Sequence, residues 1–209
     1  MSPTAEQKPN DGSQKHKAFG AGYELWIGLA VGFYVIYAVA DLVSRMVHSE
    51  VAVTVDFSDG AASSLETGNG VAALSGLTEI IVPTADVSSG AVVLVIIAEI
   101  ALILTVLAAA ISLVPVIRDI AAGTPFTTRA SRAFGAFEWI VAIGWIVHFI
   151  TMVPGGNWIS ADIGIADDVG PGITVVQAFC VLGIVGGAEL LRRCFRSGRA
   201  AQEELEGLV

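Results

Sequence analysis

Four polar side chains stand inside runs that are otherwise apolar: Asp41, Glu99, His148 and Gln177. A polar or ionisable group in hydrocarbon is costly, so each is by default a candidate for proton transfer or ligand binding. Measured from one end of each run at 1.5 Å per residue, all four lie roughly 8 to 14 Å deep, so one polar group per run can meet in a single layer. Arg45 stands one helical turn beyond Asp41 and is spaced to pair with it. The layer has two readings. It either bonds internally and fixes helix register, or it serves a small transporter or sensor as a proton-linked or ligand-binding site. Glu24, Glu138 and Glu189 lie near the opposite end of their runs, where they snorkel or pair locally; Glu189 has Arg192 and Arg193 at helical spacing.

Other chemistries find little support. No catalytic residue set, metal motif or nucleotide motif stands out, so neither an enzyme nor a cofactor is expected. Haem held by two axial histidines would need both inside the bundle, and His48 falls at the water interface. A thiol-quinone oxidoreductase would need a Cys-x-x-Cys pair, whereas Cys180 and Cys194 are 14 residues apart, roughly 21 Å of helix.

The elements that must position the polar layer follow from composition. The chain has 209 residues, 54% of them hydrophobic and 15% charged, with a mean hydropathy of +0.72. Its apolar residues fall into four runs, which predicts an all-α membrane protein of four antiparallel helices rather than a soluble globule. The spans are placed at about 24–47, 90–117, 133–153 and 172–193. Residues 1–22 lack the apolar surface to order themselves and are predicted to form a disordered cytoplasmic tail. Residues 194–209 form a second cytoplasmic tail, with a short amphipathic or frayed helix. Ala38-Val39-Ala40 mimics a signal-peptidase site, but the run continues apolar beyond it and favours a span. Tyr23, Trp26, Trp139, Trp145 and Trp158 suit interfacial or packing roles.

Residues 48–89 carry acids and no Lys or Arg. Within them Val51–Phe57 alternates apolar and β-branched residues, and Leu77–Val82 is a second β-prone run ended by Pro83, so a small two-stranded cap is expected. Pro115 is expected inside the second span and Thr127 as N-cap of the third. Pro154-Gly155-Gly156 is expected to stop the third.

Charge sorts these segments. Of eleven Lys and Arg, Lys8, Lys15 and Lys17 are in the tail, Arg118, Arg129 and Arg132 flank the turn between the second and third runs, and Arg192, Arg193, Arg196 and Arg199 follow the fourth. Arg45 alone falls at the other side. That is the positive-inside pattern, so both termini are expected in the cytoplasm, with the cap outside. The net charge of −9 reflects acid in the outer loops; no direct nucleic-acid binding is expected, and the arginines suit anionic lipid. Gly28-x-x-x-Gly32 and Gly183-x-x-x-Gly187 have the spacing that lets helix backbones approach closely, which predicts contact between the first and fourth spans or a homodimer face.

The turn Gly123-Thr124-Pro125-Phe126-Thr127, with Arg129 and Arg132 behind it, resembles the DUF2975 family of bacterial four-span membrane proteins, as does the long β-prone first outer loop. Ala130 and Phe134 depart from the family's usual Asn and Leu. The resemblance implies the bacterial cytoplasmic membrane and a family of unknown biochemical role; it carries over no catalytic residue. The expected partners are the lipid bilayer and a membrane protein or second copy. The expected function is a non-enzymatic accessory or regulatory subunit, with the transporter or sensor as the alternative.

Overall fold

The computed structural model describes residues 11–57, 64–67, 70–73 and 76–207. Four helices dominate it: α1 (Asp11–His48), α2 (Ser89–Ala121), α3 (Thr128–Asp162) and α4 (Val175–Glu206). Each contains an apolar stretch long enough to cross a membrane, with mean hydropathies of 1.9, 2.9, 1.8 and 1.6. A helix of 33 residues such as α2 is roughly 50 Å long, beyond a ~30 Å hydrocarbon core, so its ends have length to spare. Most apolar side chains on these helices point away from the protein, Phe33 and Trp26 among them. Lipid or another protein is the surface that suits them.

Three boundaries differ most from the sequence reading, the first being that α4 runs unbroken past residue 193 to Glu206. The backbone is helical from Asp11, where composition predicts a disordered tail up to residue 22; residues 1–10 and the side chains of Tyr23 and Glu24 lie outside the described residues. Helix α3 also runs straight through Pro154-Gly155-Gly156 to Asp162. Proline removes one backbone donor, a loss membrane helices tolerate, and the glycines let α3 lie close to its neighbours. A Cβ on Gly155 would fall 2.9 Å from Val95 Cγ2 and 3.3 Å from the Ala91 carbonyl, and one on Gly156 would fall 3.1 Å from Val53 Cγ2. The signal that ends α3 is Gly164, at φ +78°. The Gly164 N–H donates to the Ala161 carbonyl at 3.1 Å and the Ile165 N–H to Ser160 at 2.9 Å, a Schellman ending that needs a left-handed residue.

The expected cap is present and larger than expected. Strands β1 (Glu50–Phe57) and β4 (Gly76–Pro83) pair antiparallel, with Val51 opposite Val82 and Val53 opposite Ile80. A third strand, β5 (Val169–Pro171), joins β1 on its other edge, giving the order β4-β1-β5. β2 (Ser64–Thr67) and β3 (Gly70–Ala73) form a separate hairpin. Along β1 the residues of one face, Val51, Val53 and Val55, are buried, and Ala52 on the other face is buried as well. With Val82, Ala91, Val95 and Ile159, the three valines build the larger core cluster, sited where the sheet meets α2 and α3.

The helices pack in sequence, α1 on α2, α2 on α3 and α3 on α4, with no comparable α1–α4 contact among the described residues. The expected meeting of the first and fourth spans through Gly28, Gly32, Gly183 and Gly187 is therefore not made. Beyond the adjoining backbone of its own helix, no atom of the described residues lies within 4 Å of a Cβ built on any of these four glycines. The close helix contact lies elsewhere, between α2 and α3, where a Cβ on Gly144 would overlap the Thr105 side chain.

Candidate functional site

The elbow between α2 and α3 shows how the turn motif works. Gly123 takes φ +75°; its N–H donates to the Ile120 carbonyl and the Thr124 N–H to the Asp119 carbonyl, both at 3.0 Å. This is a second Schellman ending, followed by Pro125, which cannot continue the helix. Thr127 is the N-cap of α3 as expected, its hydroxyl oxygen accepting from the Ala130 N–H at 2.9 Å and its hydroxyl donating to the Asp119 carboxylate. Phe126 reaches across to α4, edge-on to Phe195 at 5.6 Å, and Phe195 is also edge-on to Phe134 at 5.1 Å. Arg199 donates to the Thr128 hydroxyl at 2.5 Å. Glu189 pairs with Arg192 at 2.5 Å and Arg193 at 2.7 Å, the local pairing its spacing predicts.

At the sheet end the four layer residues are divided between two arrangements. Arg45 is the hub of the first. Its guanidinium meets Glu99 of α2 in two parallel bonds of 2.7 and 3.0 Å and Asp41 of its own helix at 2.8 Å. The Arg45 side chain is only 14% exposed and that of Glu99 20%. A paired fork of this kind is the strong form of the Arg–carboxylate contact, and it ties α1 to α2. Sequence spacing finds the Asp41 pairing, which is local; the Glu99 pairing spans 54 residues, and only the mutual depth of the two residues hints at it.

His148 and Gln177 do not join that triad. The Nδ1 of His148 lies 3.0 Å from the Ala98 carbonyl on α2. A carbonyl only accepts, so this nitrogen carries a proton. Gln177 closes a capping box at the start of α4: its side-chain oxygen accepts from the Thr174 N–H at 2.9 Å while its own N–H donates to the Thr174 hydroxyl at 3.1 Å. The motif Thr-x-x-Gln was readable for this role before depth was considered.

Glu99, His148 and Gln177 nevertheless line one cavity of about 490 Å³, which lies between α2, α3 and α4 and reaches the sheet. Trp145, Met152, Cys180 and Thr54 line it too. Its rim is held by Gly172, which sits so close to β1 that a Cβ there would collide with the Thr54 carbonyl. Gly28 and Gly32 line a different cleft of about 350 Å³ between the elbow-side halves of α1 and α2, with Leu107 and Val114 on the facing wall. Among the described residues no group of His, Cys, Asp and Glu is arranged to hold a metal ion. Cys180 and Cys194 are both free and exposed.

Fold and site together define a helical protein with four helices of membrane-crossing length and a small sheet fastened to one end. No family model, no curated protein and no solved structure matches the chain.

Proposed function

We propose that the chain is a non-enzymatic, multi-pass protein of the bacterial cytoplasmic membrane, an accessory or regulatory subunit that works by contact with another membrane protein or a second copy of itself. The observation that carries this reading is the incomplete ring of helices: among the described residues α1 and α4 each pack extensively on one helix neighbour, and Gly28, Gly32, Gly183 and Gly187 are left with open space beside their backbones. Small residues of that spacing allow another helix to approach closely. The sorting of Arg and Lys supports cytoplasmic termini and elbow, with the sheet outside. The turn at Gly123 and the β-rich first loop support membership of the DUF2975 family. The test is the size of the assembly extracted into native nanodiscs. A complex larger than one chain, dissociated by Gly183→Leu with Gly187→Leu or by Gly28→Leu with Gly32→Leu, is the expected result; a monomer under every mild extraction rejects the subunit reading.

The alternative, a small transporter or sensor, is favoured by one observation, the cavity that Glu99, His148 and Gln177 share.

A further inference from the structure

We propose that the cavity between α2, α3 and α4 binds a monovalent organic cation, an alkylammonium with an apolar, aryl-sized body. This rests on the transporter or sensor reading and gives it a ligand class. It is independent of the subunit reading.

Size and lining come first. A volume of about 490 Å³ is in the ordinary range for a small-molecule site, and such sites are mostly apolar with a few placed polar groups. Leu102, Met152, Ile173, Val176 and Val181 supply the apolar wall. The polar groups are few: the Glu99 carboxylate, the His148 ring, the Thr54 hydroxyl and the Gln177 amide, of which only Glu99 carries a formal charge. Trp145 adds an indole, stacked on Phe149 at 5.3 Å between ring centroids, and an indole face attracts an ammonium or guanidinium.

Charge then decides between a neutral and a cationic ligand. Glu99 on the cavity wall belongs to a triad that, behind it, holds two carboxylates, Asp41 and Glu99, against one guanidinium, Arg45, a formal excess of one negative charge. No compensating base is near in sequence. Between Arg45 and Arg118, and again between Arg132 and Arg192, the chain has no Lys or Arg. The sheet-end segments, residues 48–89 and 154–172, therefore carry acids and no Lys or Arg, including Asp162 at the end of α3 and Asp167 and Asp168 in the connection before Gly172. A cleft bordered by one sign of charge with low-dielectric walls concentrates the opposite ion. A single positive charge balances the triad, and an apolar body fills the rest.

The experiment is calorimetric titration of the full chain in nanodiscs at pH 7 with 4-phenylbutylammonium, using neutral 4-phenylbutanol as control. The expected result is saturable binding of the ammonium, at least tenfold tighter than any binding of the alcohol. Glu99→Gln is expected to weaken it about tenfold. Because Glu99 also holds α1 to α2, that variant can fail to fold. Asp41→Asn is the second variant: it neutralises the excess charge, keeps the Arg45–Glu99 fork and changes nothing on the cavity wall, and it is expected to weaken the ammonium several-fold while leaving the alcohol unchanged. Equal binding of alcohol and ammonium overturns the cation class but leaves a ligand site, and with it the sensor reading. Ammonium binding that is indifferent to both Asp41→Asn and Trp145→Leu overturns this cavity as the site. No saturable binding of either compound overturns the proposal and the sensor reading together.

Discussion

The two ends of the helix assembly are joined by different physics. At the sheet end, segments distant in sequence are held by directional bonds: strand pairing on both edges of β1, the Arg45–Glu99 fork, and the Asp162 carboxylate accepting from the Ser88 N–H at 2.7 Å where α2 begins. At the elbow end they are held by shape, with Phe126, Phe134 and Phe195 meeting edge to face above Val116, Ala130 and Ala133. The splaying of the helices follows that division. The α1–α2 pair is tied at the sheet end by the fork and gapes toward the elbow, where the cleft beside Gly28 and Gly32 lies. The α3–α4 pair is tied at the elbow end by the phenylalanines, beside a groove of about 450 Å³ lined by Arg132, Gly135, Trp139 and Arg192, and the cavity of about 490 Å³ lies toward the sheet.

That contrast can be broken at its strongest bond. Arg45→Leu leaves the Glu99 carboxylate, only 20% exposed, without its partner, and removing one partner of a buried pair costs about 3–5 kcal/mol. In the double variant Arg45→Leu with Glu99→Leu, most of that loss is expected to return, since replacing a buried pair by apolar side chains is often neutral. Detergent-titrated unfolding followed by circular dichroism measures both; equal losses in the single and double variants would mean the fork does not hold α1. At the other end, Phe195→Ala removes the ring that both Phe126 and Phe134 touch. The loss expected is about 2–3 kcal/mol, below the range for a fully buried Phe because Phe195 is half-buried. It should loosen α4 from the elbow while leaving hydrogen-exchange protection of β1 unchanged. If β1 loses protection in step, the two ends are one cooperative unit.

Smaller changes sharpen the comparison. Thr127→Ala deletes the α3 cap and the bond to Asp119 and is expected to cost about 1 kcal/mol, read as faster exchange of the Ala130 and Ser131 amides. Ser49 joins α1 to β1 at φ 57°, a left-handed conformation unfavourable for a side chain. Ser49→Gly is expected to stabilise the chain by up to about 1 kcal/mol, visible as a small rise in Tm; a fall would show that the Ser49 side chain supports the junction.

Local signals in the sequence were legible and long-range ones were not. The four apolar runs, the β1–β4 strands, the Thr127 cap, and the Asp41–Arg45 and Glu189–Arg192 pairs all depend on residues a few positions apart or on composition, and the structure contains each of them. β5 is short and holds Gly170 and Pro171, residues with poor strand propensity, so only its pairing to β1 makes it a strand. Pro154-Gly155-Gly156 has the composition of a stop and serves as a contact surface, a distinction that depends on Val95 and Val53 being opposite. Depth alone put Asp41, Glu99, His148 and Gln177 in one layer. Depth carries no rotational information, and rotation sends Asp41 to the Arg45 fork and Gln177 to the α4 cap.

We propose that the sheet and the elbow lie on opposite faces of a membrane, with the elbow in the cytoplasm. It is tested most directly by labelling intact cells with a membrane-impermeant maleimide, in a chain lacking Cys180 and Cys194 and carrying one new cysteine at a time. Asp86→Cys, beside the sheet, is expected to label from outside, and Thr124→Cys, in the elbow, only after the cells are opened. Labelling of both from the same side, or of Thr124→Cys alone in intact cells, would contradict the account.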